Sequence, residues 1–346
     1  MTIPFLRPDL PAPSAFSVRE LPHRAKLDQN ESPVDLPPEL KRSLGEALAV
    51  EPWNRYPQPA RYRTAKAAFA HALGVEPERL FLTAGGDQTI LCAFWAAGGP
   101  GRPALVFEPT YPMFAHYAEV TATPLRRVVL GPEMTLGPAA VAGPFALRCL
   151  VSPNNPTGTL VGQAVVEAAL AAGGLTFVDE AYADFAGVSV APLGAAHPNL
   201  LVGRSLSKSL LAGVRLGYAL GDPAVVAACE HLFFAPYHLG LAQLVVAERY
   251  AEIRPHALAA AAAVRGERTR LATALGARGL RVFPSHANFL LFEIPNASAM
   301  AADLAARGVR IRDVSGLPGL SCHLRVTVGS PEENDRFLGA LAGAQG

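Results

Sequence analysis

Lys208 closes the string Ser205-Leu-Ser-Lys208, which follows an apolar run at 200–202 and precedes Ser209-Leu-Leu-Ala-Gly-Val-Arg215. A lysine at the end of a buried strand is unusual, because burial disfavours the ammonium and lowers its pKa toward the neutral amine, the form that attacks an aldehyde carbon. Ser205, Ser207 and Arg215 offer the hydroxyls and guanidinium that ligate a phosphate. On its own the string also fits a surface loop with turn-forming serines. Of the 30 basic residues only four are lysines, Lys26, Lys41, Lys66 and Lys208, so lysine chemistry has few candidates.

Three further strings supply complementary groups. Phe177-Val-Asp-Glu-Ala-Tyr182 is an apolar run that ends in an acid, with a tyrosine three residues on. An aspartate at the buried end of a strand needs a cationic partner, and a protonated pyridine nitrogen is one; Tyr182 would then reach an oxygen on the same ring. An N-cap aspartate opening a helix is the competing reading. Val151-Ser-Pro-Asn-Asn-Pro-Thr-Gly158 sets a sharp loop that turns the Asn155 amide inward, or is an ordinary turn. Phe81-Leu-Thr-Ala-Gly-Gly-Asp-Gln-Thr-Ile90 runs from a short strand through two glycines into a helix, where backbone amides can approach a phosphate. It is neither Gly-x-Gly-x-x-Gly nor a lysine-bearing nucleotide loop, so nucleotide binding loses support.

Such groups need a sheet to hold them. Short β-rich runs at 104–107, 146–151, 175–178 and 200–202, separated by helical spacing such as that of 61–73, predict a mainly parallel sheet covered by helices. Residues 241–279 read as a long alanine- and arginine-rich helix, broken or bent near Pro255, that links two domains. The runs at 287–294, 309–312 and 324–328 predict strands of a small α+β domain, and Ser330-Pro-Glu-Glu333 a capping box for the last helix. Residues 1–35, proline-rich and weakly periodic, read as an extended arm.

With 346 residues, 50% of them hydrophobic, the chain can bury more than one core. The 30 basic and 29 acidic residues leave a net charge of +1, which gives no footprint for nucleic acid or an anionic membrane. No basic and apolar leader opens the sequence and no apolar run of about 18 residues occurs, so a cytoplasmic protein with no membrane span is expected. Cys92, Cys149, Cys229 and Cys322 lie far apart without metal-ligand spacing, and are expected as reduced thiols with no metal.

Taken in order, these strings resemble the class I/II aminotransferases of fold type I, over nearly the whole chain. The resemblance implies an α/β fold: a large domain (36–243) with a mainly parallel seven-stranded sheet between helices, and a small α+β domain (244–346) to which the arm 1–35 contributes. It further implies pyridoxal 5'-phosphate bound to Lys208 as a Schiff base. Asp179 would sit at the pyridine nitrogen, Tyr182 and Asn155 at the 3-oxygen, and Tyr111 on the ring face. Gly86, Asp87, Gln88, Ser205, Ser207 and Arg215 would surround the phosphate. Gly86 and Gln88 stand where that family usually has Ser and Glu, which removes a hydroxyl at 86 but leaves the backbone contacts. The interval from Lys208 to Arg215 is one residue short of the family's.

Within that family the sequence most resembles the histidinol-phosphate aminotransferases, through Asp28-Gln-Asn-Glu-Ser-Pro33, Asn54-Arg-Tyr-Pro57 and Glu108-Pro-Thr-Tyr-Pro-Met113. The string Pro13-Ser-Ala-Phe-Ser17 lacks the tyrosine that often follows its proline there. This resemblance implies a homodimer with shared active sites, in which Tyr56 reaches the neighbouring subunit's cofactor phosphate. It also implies a substrate site containing Asn30, Arg312 and Arg325, the two arginines gripping a phosphate dianion. The expected reaction converts imidazole acetol phosphate and glutamate to histidinol phosphate and 2-oxoglutarate in histidine biosynthesis. An aromatic or broad-range aminotransferase, a threonine-phosphate decarboxylase and a catalytically silent cofactor-binding module are the other readings.

Overall fold

A computed structural model describes residues 23–345. The string Pro13-Ser-Ala-Phe-Ser17 and the opening of the chain lie outside them. In chain order the strands are β1 (Ala25–Leu27), β2 (Leu80–Thr83), β3 (Ala104–Glu108), β4 (Leu125–Val129), β5 (Leu147–Val151), β6 (Leu175–Asp179), β7 (Leu200–Ser205), β8 (Gly217–Gly221), β9 (Arg281–Val282), β10 (Phe289–Glu293), β11 (Val309–Asp313) and β12 (His323–Thr327).

Seven strands form one sheet in the order β2-β8-β7-β6-β5-β3-β4, in which β8 alone runs against the others. This is the mainly parallel seven-stranded sheet that was expected. Helices cover both faces, which is why its central strands are apolar throughout rather than alternating. Phe81, Phe177 and Leu201 pack on one face with residues of the helices Gly86–Ala97 and Pro223–Leu232, and Leu105, Val178 and Val202 on the other with residues of the helix Gln163–Ala171. Each such fully buried side chain contributes about 1.5–3 kcal/mol.

The remaining strands form a second sheet, β1-β11-β12-β10-β9, with β1 parallel to β11 and the other pairs antiparallel. The arm therefore contributes a strand: Ala25 and Leu27 are buried while Lys26 between them is only partly so. The final helix Pro331–Gln345 opens on the expected capping box, with Ser330 N–H donating to Glu333 Oε2 at 3.0 Å and Glu333 N–H to Ser330 Oγ at 3.2 Å.

Two expectations are corrected. The helical stretch after 241 breaks at Arg249, between the helices Leu241–Glu248 and Tyr250–Gly276, and Pro255 lies inside the second. Proline there forfeits one backbone hydrogen bond near the helix start, while Ile253, Ala257, Ala260 and Ala261 bury the adjoining face and hold the helix together. Cys92 and Cys229, expected as separate thiols, are joined as a disulfide between the helices Gly86–Ala97 and Pro223–Leu232; Cys149 and Cys322 are free. Their separation of 137 residues hides a proximity that arises because both helices pack on one face of the sheet. Among the described residues no helix is long and apolar enough to cross a membrane.

Candidate active site

The strands β2, β3, β5, β6 and β7 are mutually parallel, so the loops that leave their carboxyl ends gather on one edge of the sheet. Gly86, Tyr111 and Asn155 follow β2, β3 and β5; Asp179 ends β6; and Lys208 follows β7. Asp179 pairs in register with Gly203 on β7. Strings spread over some 120 residues of sequence thus meet through sheet order alone.

One end of this cluster is built around glycine. Gly85 has φ +88°, in the left-handed region, and a Cβ there would lie 2.9 Å from Arg215 Nη2, so the guanidinium lies directly on the loop. Arg215 donates to Ser207 Oγ at 3.0 Å and pairs with Asp87 Oδ2 at 3.4 Å. With the short interval after Lys208, the Arg215 guanidinium lies against Gly85 and Ser207. The arginine itself takes φ +58°, a conformation that costs a non-glycine residue roughly 1–2 kcal/mol. At Gly86 a Cβ would lie 3.0 Å from Ser205 Cβ, so the missing side chain leaves room for the buried Ser205, whose hydroxyl accepts from Ser207 N–H. Gln88 turns its side chain back on the loop, accepting from Ala84 N–H at 2.6 Å. Hydroxyls, a guanidinium and the amino end of the helix Gly86–Ala97 surround one place, an arrangement suited to a phosphate.

The other end is acidic and buried. Asp179 accepts from Ala181 N–H at 2.9 Å, and burial pushes its carboxyl up to about 7. A carboxylate at that depth calls for a cation. Tyr182, also buried, accepts from Asn30 Nδ2 at 2.9 Å and stands edge-on to Phe289; burial raises its phenol. Tyr111 donates to Asp87 Oδ1 at 3.0 Å, and burial, followed by the Asp87 charge, raises its hydroxyl as well. Between the two ends lies the Lys208 amine, which donates to the main-chain oxygen of Gln29 at 3.1 Å. Burial and then the Arg325 charge hold that amine down to about 8, against the opposing charges of Asp87 and Glu31.

The second sheet closes the site from above. Arg312 on β11 and Arg325 on β12 are register partners, which sends both side chains off the same face. Arg325 is buried. It donates to Asn155 Oδ1 at 2.5 Å and to Asp28 O at 2.6 Å, lies over the Phe289 ring at 5.4 Å, and keeps a buried Nε with no hydrogen-bond partner. Burial, reinforced by the Arg312 charge, holds its guanidinium down to about 10. Two like charges at directly opposed positions are unfavourable, and an anion between them would relieve that. His286 N–H donates to Gly158 O at 2.8 Å and ties the Asn155 loop to the segment that enters β10.

The structure thus brings Gly86, Asp87, Gln88, Tyr111, Asn155, Asp179, Tyr182, Ser205, Ser207, Lys208, Arg215, Asn30, Arg312 and Arg325 to one region where the carboxyl edge of the first sheet meets the second. Tyr56 stands apart: it is 79% exposed and edge-on to Tyr237, whose ring also meets that of the exposed Phe234. The sequence reading missed the main-chain acceptors of residues 28–30 and the residues that fix Asn30. Thr327 Oγ1 donates to Asn30 Oδ1 and accepts from its N–H, and Asn288 Nδ2 donates to Asn30 O. Strand alternation was the available signal for Thr327, which lies two residues beyond Arg325 and so shares its face.

The depressed amine gives a direct expectation. In cofactor-free protein, labelling of Lys208 by an amine-directed reagent, followed by mass spectrometry, should reach half its plateau near pH 8. A midpoint above about 10, the ordinary lysine value, would contradict the buried, Arg325-facing environment.

A family model described as aminotransferase class I and II matches residues 22–341. The chain is 40% identical over 357 residues to a histidinol-phosphate aminotransferase of Thermobifida fusca, covering 99% of this chain and 95% of that protein. It is 38% identical over 351 residues to one of Methylibium petroleiphilum, covering 98% and 94%. Among solved structures, the histidinol-phosphate aminotransferase of Sinorhizobium meliloti in complex with pyridoxal-5'-phosphate shares its fold with a TM-score of 0.80 at 23% identity, over 93% of this chain and 90% of that one.

Proposed function

The chain belongs to the class I and II aminotransferases, and on that premise we propose that it moves an amino group between glutamate and histidinol phosphate, in histidine biosynthesis, with pyridoxal 5'-phosphate as cofactor. The observation that carries the substrate is the pair Arg312 and Arg325, opposed in register on one face above the Lys208 amine. Two guanidiniums suit a phosphate dianion, and the same pair can receive the carboxylate of glutamate in the second half-reaction.

The cleft fits the cofactor at both ends. Gly85, where a Cβ would meet Arg215, leaves the close approach that a phosphate needs, and Asp179, buried with its carboxyl raised, accepts a proton shared with a ring nitrogen. When bound, pyridoxal phosphate supplies an aldehyde carbon for imine exchange and a ring that takes up the electron pair left by a departing proton. Lys208 would hold the cofactor through its aldehyde carbon, and its neutral amine is the group that would move the proton at the substrate carbon bearing nitrogen. Asp179 would keep a proton at the ring nitrogen. Tyr182, fixed by Asn30, and the Asn155 amide would serve the ring oxygen, and Tyr111 would cover a ring face. Ser205, Ser207, Arg215 and the backbone of Gly86, Asp87 and Gln88 would hold the phosphate.

The assembly belongs to the same proposal. Residues 36–243 form the cofactor-binding domain, and 244–345 with the described part of the arm, 23–35, form the smaller one. The exposed rings of Tyr56, Tyr237 and Phe234, which meet one another in that order, support a homodimer in which Tyr56 serves the partner's phosphate site. A cytoplasmic location is part of this reading too.

Steady-state kinetics with histidinol phosphate, tyrosine and phenylalanine side by side test the substrate. Histidinol phosphate should win in kcat/KM by about 100-fold or more, and Arg325→Gln should lower its kcat/KM by roughly 10²–10³-fold through the loss of charge-assisted bonds. Preference for an aromatic amino acid would move the assignment to a broad-range aminotransferase, and release of carbon dioxide from threonine phosphate to a decarboxylase.

A further inference from the structure

Behind the cleft, on the side of the sheet away from the phosphate loop, lies a charged network that the mechanism above does not use. Arg204, on β7, stands among Glu180 Oε2 at 3.5 Å, Asp184 Oδ1 at 3.6 Å and the Tyr218 hydroxyl at 3.3 Å. Glu180 is itself fixed, accepting from Ser189 Oγ and from Val190 N–H, both at 2.6 Å. Asp184 also accepts at its main-chain oxygen from Arg265 at 3.2 Å. Its second carboxylate oxygen accepts from the buried Ser209 hydroxyl at 2.7 Å.

Ser209 follows Lys208, and Asp184 lies two residues beyond Tyr182. The lysine sits on a tight turn in which Leu210 and Leu211 N–H both bond to Leu206 O. On one side of the lysine, Ser207 fastens this turn to Arg215 at 3.0 Å; on the other, Ser209 fastens it to Asp184. A turn held at two flanking residues cannot pivot about either, whereas one held only at Ser207 can swing the long Lys208 side chain. We propose that the Ser209–Asp184 hydrogen bond is a positioning device for the reaction, holding the Lys208 amine in register with Tyr182 and Asp179. Both residues are positioning residues, since they act through Lys208. The inference rests on the role given to Lys208 above.

The test uses holoenzyme for kinetics and cofactor-free protein for labelling. Ser209→Ala should lower kcat about tenfold with KM within about twofold, the pattern of a misplaced reacting group rather than lost substrate binding. In cofactor-free protein, Lys208 should then be labelled by an amine reagent about threefold faster, because the turn opens locally. Asp184→Ala, which also removes the carboxylate facing Arg204, should lower kcat at least as far as Ser209→Ala, and the double variant should lose no more than Asp184→Ala alone, because the Ser209 bond is already gone there. Ser209→Thr, which keeps a hydroxyl, and Asp184→Asn, which keeps an accepting oxygen while discarding the charge facing Arg204, should restore both readouts. Unchanged kcat and labelling in Ser209→Ala would overturn the proposal, and so would losses that multiply in the double variant. If Asp184→Ala does not fold, Ser209→Ala against Ser209→Thr decides by the same two readouts. Lys208→Ala separates the two levels: if that variant still transaminates, the role of Lys208 itself has failed, whereas an inactive Lys208→Ala beside an unaffected Ser209→Ala removes only the positioning device.

Discussion

Lys208→Ala should reduce transamination by about 10⁴-fold or more and abolish the violet absorbance of a lysine-bound cofactor, while leaving cofactor affinity measurable. The loss is large because one side chain performs two tasks: it holds the aldehyde carbon and then moves the substrate proton. Its environment suits both, since burial and the facing Arg325 charge keep the amine near 8, where an appreciable fraction is neutral at physiological pH. The remaining binding comes from Ser207, Arg215 and the glycine loop, which the substitution does not touch. A small added amine should return part of the proton transfer, and the measurement is activity against methylamine concentration. Full activity and unchanged absorbance in Lys208→Ala would sink the assignment.

Asp179→Asn should cost about 10²–10³-fold in kcat with a small change in KM, because a fixed negative charge at the ring nitrogen acts mainly when charge develops during reaction. The same variant has an opposite effect on the cofactor-free protein. The folded-state pKa of Asp179, about 7, lies above its usual carboxyl value of 3.8. Its stabilising contribution is therefore complete below the lower figure and is lost as pH rises through the upper one. Asn carries no such slope. Above pH 7 cofactor-free Asp179→Asn should be the more stable protein, by on the order of a few kcal/mol, and denaturant melts at pH 5 and pH 8 measure the difference. Equal slopes in the two proteins would show that the carboxyl is not buried unpaired.

How much of this could be read in the sequence depended on where each group sits in the chain. Asp179 and Lys208 could be singled out because each ends or follows an apolar run, although each string alone also fitted a cap or a surface turn and only the order of the strings favoured a shared site. The parallel sheet was legible for the same reason, since strands covered on both faces carry unbroken apolar runs. The reversed strand β8 was not, because Gly217-Tyr-Ala-Leu-Gly221 is short and bounded by glycines, and its direction follows from pairing rather than composition. Arg215 was named from its place in the string, but its left-handed backbone could not be foreseen, because an arginine gives no local signal for positive φ. The Cys92–Cys229 pair and the Ser209–Asp184 bond both join elements that only helix and sheet packing bring together.

Residues 28, 29 and 30 offer three successive carbonyl oxygens to Arg325, Lys208 and Asn288. These acceptors belong to the main chain, so every amino acid supplies them equally. A saturation scan read out by growth would therefore mark Asn30, whose side chain also serves Tyr182, and pass over Gln29, although Gln29 holds the amine at the centre of the reaction. The segment is sensitive to register instead. Deleting one residue, or replacing one amide by an ester, would shift or weaken an acceptor that no side-chain substitution can reach, so tolerance to substitution here measures the interchangeability of side chains and not the importance of the position.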